Sequence, residues 1–150
     1  MPILGTTTHR AKSMLHRVPA LGISYCGKDF MSKTLPYILG VILVLFGLFG
    51  FISNPLVGAN ALFLSDAVHN VMHLIFGLGL LSAAYWAHQS YGFWLKGMGA
   101  LLLLLGLIGL CTVSSLGGIL LGIATTNGAS NWFNFIMGGV ILFVARYTRA

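Results

Sequence analysis

Between Lys33 and Arg146 the chain carries only two charged side chains, Asp66 and Lys96. Soluble domains carry about 25% charged residues, whereas this chain of 150 residues carries 7%. So little charge leaves a water-facing surface uncovered. Leu, Ile, Val and aromatic residues are plentiful, which excludes a disordered chain as well. The bilayer is the solvent that remains.

Four apolar runs stand out, at 35–52, 67–87, 93–113 and 131–145. Each approaches the ~20 residues that cross ~30 Å of hydrocarbon. The fourth is short, so its helix is expected to begin earlier or to thin the bilayer locally. Lys and Arg fall in three places: Arg10, Lys12, Arg17, Lys28 and Lys33 before the first run, Lys96 beside the link between the second and third, and Arg146 and Arg149 after the fourth. Loops 53–66 and 113–130 contain neither residue type. This asymmetry places both termini on the cytoplasmic side and both longer loops outside. Tyr37, Tyr85, Trp86, Tyr91, Trp94, Trp132 and Tyr147 stand near run ends, where aromatic belts form. The same distribution disposes of a nucleic-acid reading of the +6 net charge, because no basic face is interleaved with aromatics.

The fold expected is therefore an all-α membrane protein of four transmembrane helices, with residues 35–150 in a bacterial inner or photosynthetic membrane. Residues 1–34 read as a basic, disordered cytoplasmic arm, whose stretch from His9 to Arg17 suits anionic lipid. Alternatively, Met31-Ser32-Lys33 marks the natural start. Loop 113–130 is apolar and rich in Gly and Ser, and is expected to rest at the membrane interface or pack on the bundle, with a short helix near 118–124. Cys26 and Cys111 fall on opposite sides of the membrane or at different depths, so no disulfide is expected. Ala59-Asn60-Ala61 resembles a signal-peptidase site, but the apolar run before it exceeds the ~7–15 residues of a signal core and ends too early. Cleavage there is not expected.

An internal repeat runs through the spans. Gly47 and Gly50 in the first correspond to Gly106 and Gly109 in the third. The second opens with Asn70-x-x-His73-x-x-x-Gly77, and the fourth with Asn131-x-x-Asn134-x-x-x-Gly138. Order and spacing agree apart from about two extra residues in the second loop. Both units run in the same sense, so they read as parallel helix–loop–helix repeats, about 35–90 and 93–147, related by an axis along the membrane normal. The six glycines let backbones approach closely, where van der Waals packing drives association in lipid. The G-x-x-G-F end of the first span (Gly47, Gly50, Phe51), the Asn70/His73/Gly77 start of the second and the Asn131-Trp132 start of the fourth resemble a bacterial domain-of-unknown-function family of small four-helix membrane proteins. The resemblance covers about residues 35–146 and implies the four-helix architecture, with no activity attached. That family often has His where this chain has Asn134, which weakens any idea of a paired-His site.

One polar cluster remains. Asp66, His69 and His73 are spaced three and four apart and share a helix face. Ionisable residues within spans are functional candidates by default. In a structural reading, Ser65 caps the helix, Asp66 meets the positive dipole end in its first turn, and Asn70 and His73 hydrogen-bond across the bundle to Asn131 and Asn134. In a second reading, His69 and His73 bind a metal or haem with Asp66 as a third ligand. However, the pattern lacks the Glu of the zinc-protease helix, and the only other His near a span, His88, lies at the opposite end. A third reading passes protons or ions from a His–Asp pair at the outer mouth, although no acid or base follows until Lys96 and His88. There is no phosphate loop, nucleophile–base pair or carboxylate pair, so no catalysis and no cofactor are expected. The role expected is structural: an accessory subunit of a larger membrane complex or a homo-oligomeric scaffold. The alternative is a small transporter, channel or metal-binding protein using Asp66, His69 and His73.

Overall fold

A computed structural model describes residues 34–86 and 91–147. The basic arm with Cys26, the link with His88, and Arg149 lie outside the described residues. Four helices dominate: α1 (Leu35–Phe49), α2 (Ala67–Trp86), α3 (Tyr91–Thr112) and α4 (Gly128–Ala145). Of these, α2, α3 and α4 are long and apolar enough to cross a membrane. The fourth helix begins ahead of its apolar run, as the short run led one to expect. Helix α4 has 18 residues because Asn127 caps it ahead of the apolar run, its side chain accepting from the Ser130 N–H. The short helix is α1, whose 15 residues begin with Pro at a first-turn position and stop at Gly50.

The fold is mostly helical, as expected, with two short strand pairs added in the loops. In the first loop, β1 (Val57–Gly58) pairs in parallel with β2 (Phe63–Leu64). In the second, β3 (Gly118–Leu120) pairs antiparallel with β4 (Ala124–Thr126), where a short helix was expected. The reason is local. Gly117 and Gly122 take φ of 138° and 73°, which end any helical run. The remaining residues then alternate, with Leu120, Ala124 and Thr126 buried and Ile119 and Ile123 outward, a period of two.

Packing is organised as two helix hairpins. Helix α1 lies chiefly along α2, and α3 along α4. Glycines set both approaches. A Cβ on Gly47 would sit 2.7 Å from the Asn70 carbonyl oxygen, and one on Gly106 2.7 Å from that of Asn131. A Cβ on Gly77 would sit 2.7 Å from the Val44 nitrogen, and one on Gly138 would collide with the Leu103 nitrogen. Gly50 lies flat against the Asn70 side-chain amide and Gly109 against that of Asn131, leaving no room for a methyl group at either. The hairpins then meet along a core that includes Leu39, Leu43, Leu80, Leu102, Ile141 and Val144. Many large apolar side chains, such as Ile75, Leu78, Leu101, Leu104 and Ile136, face outward.

Candidate functional site

The polar residues converge at the loop end of the bundle. Asp66, directly before α2, holds the helix N-terminus itself: its Oδ1 accepts from the His69 N–H at 2.9 Å. Asp66 is thus the capping residue, and the expectation that Ser65 caps is corrected; the Ser65 hydroxyl is buried without a partner. The shift of one position follows from geometry, because a cap side chain must reach the N–H three residues on, and that residue is His69. The second Asp66 oxygen accepts from the Thr125 N–H in β4 at 2.7 Å. Burial raises the Asp66 carboxyl, but the N–H donors of His69 and Thr125 outweigh it and hold the group below its ordinary range.

His69 is buried and reaches the same β4 residue, with Nδ1 2.9 Å from the Thr125 carbonyl oxygen. A carbonyl only accepts, so Nδ1 carries the proton, and Nε2 of the neutral ring is an acceptor. The Asn134 amide nitrogen lies 3.4 Å from that Nε2. Asn134 Oδ1 in turn accepts from His73 Nε2 at 2.9 Å. The neutral His73 ring therefore keeps a bare lone pair on Nδ1, which is buried and has no hydrogen-bond partner. One carbonyl thus sets the proton positions of the whole chain Thr125–His69–Asn134–His73.

The expected bond between His73 and Asn134 is present, whereas Asn70 and Asn131 do not bond each other. Asn131 Oδ1 accepts from the Thr126 hydroxyl at 2.9 Å. Asn70 Oδ1 is buried without a partner, with its amide against Gly50. Around His73 stands an aromatic cluster absent from the sequence reading. Phe46 stacks on Phe133 with centroids 4.2 Å apart, and both meet His73 edge-on, with Phe63 closing against the two phenyl rings.

A second set of residues completes the site, and the sequence reading missed it. Asn127 Nδ2 donates to the Leu62 carbonyl at 2.9 Å, and the Ser130 hydroxyl donates to the Leu64 carbonyl at 2.9 Å. Each hairpin therefore grips the other's loop: Asp66 and His69 hold Thr125, while Asn127 and Ser130 hold Leu62 and Leu64. Carrying the Asn70/Asn131 correspondence a few residues upstream pairs Asp66 with Asn127 and His69 with Ser130, a signal that was readable.

As a ligand set, the cluster is poorly arranged. Both Asp66 oxygens point to backbone N–H groups, and among the described residues no three His, Cys, Asp or Glu side chains are placed to hold one metal ion. No family model, no curated protein and no solved structure matches the chain.

Proposed function

We propose that the chain is a structural four-span membrane protein, built from two parallel helix–loop–helix repeats with both termini cytoplasmic, serving as an accessory subunit of a larger membrane complex or as a homo-oligomeric scaffold. The observation that carries this reading is the reciprocal grip at the loop end. The polar side chains there bond to one another and to loop backbone, so their work is to join two hairpins. Buried polar groups in lipid need such partners.

The fourth span is supported by depth. Helix α1 measures only about 22 Å at 1.5 Å per residue, but its glycines run beside α2 from Leu81 to Asn70. The repeat is supported by the matched glycine steps and by the exchange of loop contacts between equivalent residues. The orientation rests on Lys96 and Arg146 at the end opposite the loops. An apolar exterior and glycine-stepped helices suit lateral contact with other membrane helices.

A second reading, a small transporter, channel or metal-binding protein, is favoured by one observation: the unpartnered His73 Nδ1 beside His69. Native mass in a mild detergent, with every co-migrating chain identified, separates the two. A defined assembly, with partners or with itself, is expected. A monomer carrying stoichiometric metal that disappears in His69→Ala, or a reconstituted flux lost in Asp66→Asn, would overturn the structural reading.

A further inference from the structure

The loop end is a surface without ordinary loop chemistry. From Gly97 to Ala145 the sequence has no charged residue, and from Thr34 to Leu95 it has only Asp66. Large apolar side chains nevertheless point away from the protein there: Leu116 is 91% exposed, Ile119 65%, Leu121 58% and Ile123 63%, and in the first loop Ile52 and Leu62 are 61% each. The inward members of the same hairpin, Leu120 and Ala124, are buried. The outward row is therefore a second apolar face rather than a poorly packed core.

The turn of that hairpin adds an independent observation. Ile123 N–H bonds to the Leu120 carbonyl, and both central residues have positive φ, 52° for Leu121 and 73° for Gly122. Such turns favour Asn-Gly, because a branched side chain strains in the left-handed region. Leu121 takes the strained place and still leaves its side chain 58% exposed.

Backbone satisfaction points the same way. Asn54 Nδ2 reaches the carbonyls of Phe49, Ile52 and Val57, and its Oδ1 accepts from the N–H groups of Leu56 and Val57. Pro55, Leu56 and Gly58 carbonyls are taken by Leu62, Phe63 and Ser65. Loops in water can leave such groups to solvent. Loops in a poorly hydrated setting must satisfy them internally. Depth agrees, since the end of α1 at Gly50 lies beside Asn70, a full turn inside α2.

From these observations we infer that the apolar outward faces of the two outer loops form a lipid-seated cap, with Leu116, Ile119, Leu121 and Ile123 in the headgroup–acyl boundary of the leaflet at the loop end and the polar tip of the first loop at Asn60 reaching water. The partner of this surface is lipid. The lateral helix faces are then the surfaces left for other proteins. The inference rests on the membrane-spanning reading above.

The test is spin-label depth in the full chain, with Cys26 and Cys111 replaced by Ser and single labels at Ile119→Cys and Ile123→Cys, in phosphatidylcholine–phosphatidylglycerol bilayers. Leu104→Cys on the outer face of α3 and Asn60→Cys on the polar tip of the first loop serve as references. The hairpin labels are expected to resemble Leu104→Cys, relaxed several-fold more by oxygen than by a water-soluble nickel chelate. Labels that resemble Asn60→Cys would place the hairpin in water and overturn the inference. Labels shielded from both reagents would mean that protein covers it, which also overturns it. If Leu104→Cys itself is relaxed by nickel, the membrane-spanning reading fails, and the cap with it.

Discussion

The hairpins α1–α2 and α3–α4 close on the same glycine steps yet differ in chemistry at their loop ends. Ahead of α4 stand Thr126 and Asn127; ahead of α2, at the same spacing from the shared Asn, stand Ser65 and Asp66. Thr126 donates to Asn131, whereas the Ser65 hydroxyl and the Asn70 Oδ1 are buried without a partner. The branched Thr side chain is stiff at χ1 and stays aimed at its acceptor; Ser is free to turn away. Ser130 and Asn134 occupy α4 where His69 and His73 occupy α2. The second hairpin thus closes with neutral, largely satisfied groups. The ionisable groups sit in the first, together with most of the unpartnered atoms. Close packing is common to both halves, and the carboxyl and imidazole groups of the loop end belong to one.

The largest effect is expected where the halves agree. A Cβ on Gly138 meets the Leu103 nitrogen and the Gly99 carbonyl, and one on Gly77 meets the Val44 nitrogen and the Gly40 carbonyl. Backbone cannot step aside as a side chain does. Gly138→Ala and Gly77→Ala should each lose roughly 1–3 kcal/mol, read as thermal unfolding in detergent, with Gly138→Ala the worse. A neutral Gly77→Ala would break the equivalence of the two interfaces.

Next comes the contact between the halves. A double-mutant cycle on His73→Leu and Asn134→Leu should give a coupling of about 0.6 to 1.7 kcal/mol, the range of interhelical hydrogen bonds in membranes. Additive losses would mean that the pair does not join the hairpins.

The smallest effect sharpens the difference in charge. Asp66→Asn copies the Asn127 cap of the other hairpin. Because the folded carboxyl lies below its ordinary range, its contribution is complete above the unfolded value and is lost as pH falls through the folded one. Thermal unfolding of the native chain should therefore weaken between neutral pH and about pH 3, a window set by the ordinary carboxylate value of ~3.9. Asp66→Asn should show less of that loss. Identical pH profiles would remove Asp66 from the joint. The effect is modest because the group is only half-buried.

Much of this was legible in the residues. The four helices were, three of them long and apolar enough to cross a membrane, because each follows a long apolar run almost without charge. Gly47, Gly50, Gly106 and Gly109 were, because small residues at matched places imply matched contacts. The bond between His73 and Asn134 was, since both stand at matching places near the starts of their helices; the matching pair Asn70 and Asn131 shows that such matching does not guarantee a bond. The hairpin at 118–126 was hidden by its composition: Leu121 fills a turn position where Asn would have announced the turn. Phe46 and Phe133 are far apart in sequence and ordinary in apolar helices, so nothing marked their stacking. Thr125 takes part through its backbone alone, which no side-chain pattern reveals.

By itself, then, the sequence determined the solvent, the run of helices and the residues able to pack closely, because hydropathy and side-chain size are properties of each position. Only the tertiary structure decided which residue caps which helix, which way the protons lie along His69, Asn134 and His73, and how each hairpin holds the other's loop. Those are matters of distance and direction between groups remote in the chain, and they exist only once the two hairpins have met.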